Sequence, residues 1–135
     1  YAAALDHTNL DVSFLQLWSI LEKITDTIGA NYEETIRRAA WRYTDREVAI
    51  QLLQSLRLRR NQFVHSARSS SDRDEVVNLL RSFVEPQLLS LIRNDFRVSS
   101  FEEYAEYLQL PSNAKLLRTR RKQLNTALRV MHPGD

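Results

Sequence analysis

Arg60, Asn61 and His65 are the residues of this chain best suited by type and spacing to do chemistry. An imidazole titrates near neutral pH, so His65 can both accept and deliver a proton. Arg60 carries a permanently charged fork of N–H donors whose geometry matches phosphate or carboxylate oxygens. Asn61 can donate and accept hydrogen bonds at once, which suits it to orienting His65 or a substrate oxygen. Proton transfer beside an anion that gains charge is the chemistry such a set supports. The bland alternatives are an Arg60 stem packed over the core with its head reaching solvent, and a His65 that merely completes a helix contact.

The helix that carries these residues is the clearest element in the sequence. Thr44 with Glu47 forms a capping-box pattern, and Val48, Ala49, Leu52, Leu53, Leu56, Phe63 and Val64 continue a helix to about Ala67. Taking Leu56 as the centre of the apolar face and advancing about 100° per residue, Leu52, Leu53, Phe63 and Ala67 stay near that centre, and so does Arg60. Asn61 and His65, one turn apart, fall on the opposite side with Ile50, Gln54 and Leu58. That second, semi-apolar face suits either another helix of the bundle or a second copy of the domain. On an ideal helix Arg60 and His65 project about 140° apart. Their convergence requires arginine's length, a local distortion or a partner protomer.

The remaining elements are also helical. An amphipathic stripe of Phe14, Leu17, Trp18, Leu21, Ile24 and Ile28 predicts a helix over 11–28, with Gly29 as its C-terminal cap. Asn31 with Glu34 opens a second helix through Trp41 and Tyr43. Arg68 to Arg73 reads as a polar loop. Ser71 with Asp74 caps a helix bearing Val76, Val77, Leu80, Phe83 and Val84, which Pro86 breaks or kinks before Leu88, Leu91 and Ile92 resume it. Ser100 with Glu103 precedes Phe101, Tyr104, Tyr107 and Leu108, the tyrosines reading as packing residues. Pro111 leads to a last helix with Leu116, Leu117, Leu124, Leu128 and Met131. The expected fold is all-α, a bundle of about five to seven helices in one domain spanning 1–135.

With 135 residues, 2 glycines, 3 prolines and no cysteine, the chain favours helix and offers no disulfide or thiolate site. A start at Tyr1 suggests a fragment of a larger protein, and the cysteine-free composition without an export signal suggests the cytoplasm. No apolar run reaches the roughly 20 residues of a membrane span. His7 and His132 have no second ligand at metal spacing, and no glycine-rich phosphate loop or Gly-x-Ser-x-Gly elbow is present, so neither a metal nor another cofactor is expected. A net charge of +2 does not by itself imply nucleic acid.

The run Arg60-Asn61-Gln62-Phe63-Val64-His65, followed by the small Ser66 and Ala67, resembles the Arg-Asn-x-x-x-His signature of the HEPN superfamily. The upstream Phe14-Leu15-Gln16-Leu17-Trp18-Ser19-Ile20-Leu21-Glu22 is similar to the opening helix of Apea-type HEPN domains, and the likeness covers roughly the first two-thirds of the chain. It implies an HEPN-like bundle and a metal-independent endoribonuclease in which the motifs of two protomers face one another. The catalytic residues would be Arg60, Asn61 and His65, the substrate RNA, and the partner a homodimeric copy joined through the motif-bearing helix. A role as effector of a bacterial, antiviral defence or toxin-like system follows from the same resemblance, with other domains of a longer chain as further partners. The alternatives are a non-catalytic HEPN bundle for dimerisation or for nucleotide or RNA binding, and an unrelated helical interaction domain.

Glu22 lies at the margin of the first apolar stripe and is expected either to pair with Arg60 and hold its guanidinium or simply to face solvent. Arg57 and Arg59 accompany the motif, and Arg118, Arg121 and Lys122, with Lys115, Arg120 and Arg129, make the last helix basic. All five of the first-named cations are candidates for RNA phosphate contacts, against the plainer reading of solvated helix faces.

Overall fold

A computed structural model describes residues 10–63, 70–132 and 134, with side chains described at all of these except 10, 11, 60–63 and 70–73. The described residues form six α-helices and no strand: α1 (Leu10–Ile24), α2 (Tyr32–Ala39), α3 (Arg46–Phe63), α4 (Ser70–Arg93), α5 (Phe101–Leu108) and α6 (Ala114–Met131). The all-α bundle is therefore as the sequence predicts.

α1 and α4 pack along each other most extensively, and α2 and α3 close over them. Phe14, Leu17, Trp18, Leu21 and Ile24 of α1 meet Val76, Val77, Leu80, Phe83 and Val84 of α4, with Ile36, Ala39, Ala49, Leu53 and Leu56 completing the core. These are the three-and-four spacings of the sequence, so each stripe is buried because that arc of its helix is apolar throughout.

Helix ends show where local chemistry overrides periodicity. α1 ends at Ile24, not Ile28, because Asp26 takes a left-handed φ of 54°. Its N–H then bonds Lys23 O at 3.2 Å and the Thr27 N–H bonds Glu22 O at 2.9 Å, the paired bonds of a Schellman motif. Ile28 is consequently exposed, and Gly29 lies in the following turn rather than capping the helix. α4 closes identically: Asn94 adopts φ 52°, with Asn94 N–H to Leu91 O and Asp95 N–H to Ser90 O both at 3.1 Å.

Asn31 caps α2 through the Glu34 N–H at 3.0 Å, and Ser100 caps α5 through the Glu103 N–H at 3.1 Å, both as predicted. At α3 the capping side chain is Asp45, whose Oδ1 accepts from the Val48 N–H at 3.3 Å, one residue beyond the expected Thr44. α2 stops at Ala39, short of Trp41 and Tyr43. Both aromatics instead make tertiary bonds from the turn, Trp41 Nε1 donating to Leu110 O at 2.6 Å and Tyr43 Oη to Ser82 O at 3.4 Å. Residues 70–73, expected in a polar loop, are already helical, ahead of the predicted Ser71 cap, and the rest of that expected loop lies outside the described residues.

Pro86 lies inside a continuous α4 and does not split it. A proline there leaves the carbonyl four residues earlier, that of Ser82, without its helical donor. The Tyr43 hydroxyl supplies that donor, and Arg42 Nη1 bonds the Pro86 carbonyl at 3.3 Å. Tyr43→Phe is therefore expected to cost about 0.5–1 kcal/mol in chemical denaturation while keeping the ring tilted against Phe83. In a Pro86→Ala background, where an amide replaces the hydroxyl's role, the same change should cost nothing measurable.

Between α1 and α2 three threonines form a buried hydroxyl chain. Thr25 Oγ1 donates to Leu21 O at 2.7 Å and lies 3.0 Å from Thr27 Oγ1, which lies 2.7 Å from Thr35 Oγ1. Arg38 Nη1 adds bonds to Thr25 O at 2.8 Å and Asp26 O at 3.1 Å, placing a cation at the carbonyl end of α1. Glu34 holds Arg38 at 2.9 Å and Arg37 at 2.6 Å. The Arg37 hydrogen bond, with the charges of both arginines, lowers the Glu34 pKa below its ordinary value, against a partial opposing effect of burial. A lowered folded-state pKa gives stability present above the ordinary glutamate range and lost as pH falls through it. Glu34→Gln should therefore flatten the acid side of a melting-temperature profile and change little where the pH is already well below that range.

Candidate functional site

α3 presents two unlike arcs. Ala49, Leu53 and Leu56 are buried in the core, whereas Val48, Leu52, Gln54 and Leu58 face outward, Leu58 with 64% of its surface exposed. Leu52, expected near the centre of the apolar face, is thus on its exposed margin. The buried arc is rotated toward Arg57 and Ile50, both half-buried. The second face that the sequence assigns to Ile50, Gln54 and Leu58 is uncovered at Gln54 and Leu58.

Arg60 and Asn61 lie on the last turn of α3, where their side chains are among those not described, and His65 lies outside the described residues. One turn earlier the surroundings are defined. The Arg57 guanidinium sits 4.4 Å over the Tyr32 ring, a cation held against the negative face of an aromatic at the start of α2. Tyr32 in turn tilts against Trp18 of α1 at 6.0 Å, and Trp18 stacks on Phe14 at 6.2 Å. Trp18 Nε1 donates to Glu22 Oε1 at 2.9 Å. An aromatic wall from α1 and α2 thus connects Glu22 to the motif-bearing helix. The proposed partner of Glu22, Arg60, has no described side chain, so the ion pair between them lies outside the described residues.

Of the other candidate cations, Arg59 is exposed on α3, and Arg118, Arg121 and Lys122 are exposed on α6. Arg57 is the one whose head is committed to an intramolecular ring contact. The roles of Tyr32 and Trp18 are not visible in the sequence, where both read as ordinary aromatics. Only a Trp–Glu pair at i and i+4 on one helix hints at the bond between Trp18 and Glu22.

Among the described residues no group of three or more histidines and carboxylates is placed to hold a metal ion, and no helix is long and apolar enough to cross a membrane. Family models, curated proteins and solved structures give no match to the chain.

Proposed function

We propose that this chain is a metal-independent endoribonuclease domain acting as a homodimer, with His65 and Arg60 as catalytic residues and Asn61 supporting them. The observation that carries the reading is register. Residue 60 follows Leu56 by four and Leu53 by seven, the buried arc of α3, while residue 61 follows Gln54 by seven and Leu58 by three, the exposed arc. An arginine position on the inner arc and an asparagine position on the outer one, on the last turn of a helix, is an arrangement that could support a reacting phosphate.

In the proposed reaction the 2′-oxygen of the ribose attacks the adjacent phosphorus. His65 takes the hydroxyl proton and a proton returns to the departing 5′-oxygen. The P–O5′ bond breaks, leaving a 2′,3′-cyclic phosphate and a 5′-hydroxyl. Arg60 binds the non-bridging oxygens as their charge grows, and Asn61 orients the imidazole or a ribose oxygen. Glu22, anchored by Trp18, would steady the Arg60 guanidinium. The exposed Leu58 arc offers the apolar surface on which a second motif-bearing helix could seat, bringing Arg60 and His65 together across the dimer. Arg57 and Arg59, with Arg118, Arg121 and Lys122, would bind flanking phosphates. A cytoplasmic effector of a bacterial defence or toxin-like system is the setting in which such an activity fits.

The test is incubation of the chain in excess EDTA with an RNA and with DNA of the same sequence. Cutting of RNA alone is expected, since DNA lacks the attacking hydroxyl; equal cutting of both, or of neither by folded protein, overturns the proposal.

A further inference from the structure

α6 buries none of its side chains, although it carries a leucine stripe. Leu117, Leu124, Leu128 and Met131 share an arc of about 60°, and Leu128 is 60% exposed. Most helical stability in proteins comes from packing an amphipathic face, and this apolar arc is of the kind that folds against a partner surface. Arg120 and Arg121 border the stripe on its two sides, and Lys115, Arg118, Lys122 and Arg129 fill the opposite arc. The helix therefore has six cations and no carboxylate; with a chain total of +2, everything outside it carries −4.

A complementary surface exists on the same molecule. Where the ends of α1 and α4 meet the start of α5, an open cleft of about 770 Å³ is lined by apolar Ile24, Leu91, Ile92 and Phe101, with the carboxylates of Asp26 and Glu102 at it. Ile92 is 79% exposed. The cleft has two acidic and no basic residues in an otherwise largely apolar lining, whereas α6 has an apolar stripe bordered by cations.

We propose that α6 docks in this cleft on a second copy of the chain, the two copies exchanging their last helices around a two-fold axis. Charge segregation selects that occupant. Two α6 helices packed on each other would oppose cation to cation with no carboxylate on either. A lipid surface beneath α6 would bring a whole sheet of anionic headgroups against the anionic body beside it. A body of net −4 facing a helix of net +6, each with apolar surface at its centre, is self-complementary, as an isologous interface requires. This contact uses neither the end of α3 nor the Leu58 arc, and Arg118 and Lys122, proposed above for flanking phosphates, lie on the arc of α6 opposite the docking stripe.

The test is particle mass in solution by light scattering for wild type, Leu124→Glu and Ile92→Glu. Both substitutions sit at exposed positions, so circular dichroism and melting temperature should match wild type. Each variant should halve the mass. A mixture of the two should recover a paired particle, because one supplies an intact helix and the other an intact cleft. Equal mass for all three, loss on Leu124→Glu alone, or a mixture that stays unpaired overturns the proposal. So does a chain that does not self-associate but binds phosphatidylserine vesicles through α6.

Discussion

His65→Ala is expected to lower metal-free RNA cleavage by about 10²–10⁴-fold, the range that a positioned general acid or base supplies. Helicity and particle mass should remain those of wild type. A structural histidine would give the reverse, a lower melting temperature with cleavage unchanged. Arg60→Lys sharpens the distinction: it preserves one positive charge and removes the planar fork, so a phosphate-binding arginine should lose rate even in the conservative variant. An imidazole ordinarily titrates near neutrality, so a cleavage that draws on one protomer's His65 as base and the other's as acid should show a bell-shaped dependence on pH. Glu22→Gln separates a further role. The substitution keeps an acceptor for Trp18 Nε1, now bonded at 2.9 Å, while removing the negative charge proposed to hold Arg60.

Leu21→Ala is expected to lower the stability of the bundle by about 2–5 kcal/mol. Leu21 is fully buried in the cluster where α1 packs on α4, the most extensive helix contact in the fold. Truncation removes apolar atoms from water-free packing and leaves a cavity that two long helices cannot easily close around. Leu89, on the exposed side of α4, is the matched control: Leu89→Ala should change stability by no more than about 0.5 kcal/mol. Equal effects at the two positions in urea unfolding would contradict the packing described for α1 and α4.

The helical stripes and two of the caps were legible because each depends on residues within a few positions of one another. Asn31 and Ser100 act as caps through bonds three residues long, and Phe14 to Ile24 form one stripe. The features that escaped depend on distant partners or on backbone conformations that residue type permits without dictating. Asp26 in a left-handed conformation ends α1 before Ile28, although Gly29 was the more usual residue for that turn. Pro86 should interrupt α4, yet Tyr43 and Arg42 from the α2–α3 turn satisfy the carbonyls around it. Such compensation is invisible until the two segments are adjacent. The same holds for Trp41, whose bond to Leu110 O ties the turn after α2 to the end of α5.

For the candidate site, the motif itself was legible as residue types and spacing, while its supporting wall was not. Arg57 reads in sequence as a candidate phosphate contact beside the motif, and only folding brings the Tyr32 ring beneath it. The leucines of α6 were legible as helical positions, but amphipathic periodicity reports an apolar face without reporting what covers it. Their exposure leads to the exchanged-helix interface, a relation between two surfaces far apart in sequence.

The most direct measurement is the chemistry of the ends left by wild-type and His65→Ala protein on end-labelled RNA in excess EDTA. Wild type should leave 2′,3′-cyclic phosphate and 5′-hydroxyl ends, and the variant should give no cutting above background. Fragments that persist with His65→Ala, or an intact substrate after incubation with folded, dimeric wild-type protein, would contradict the proposed nuclease activity.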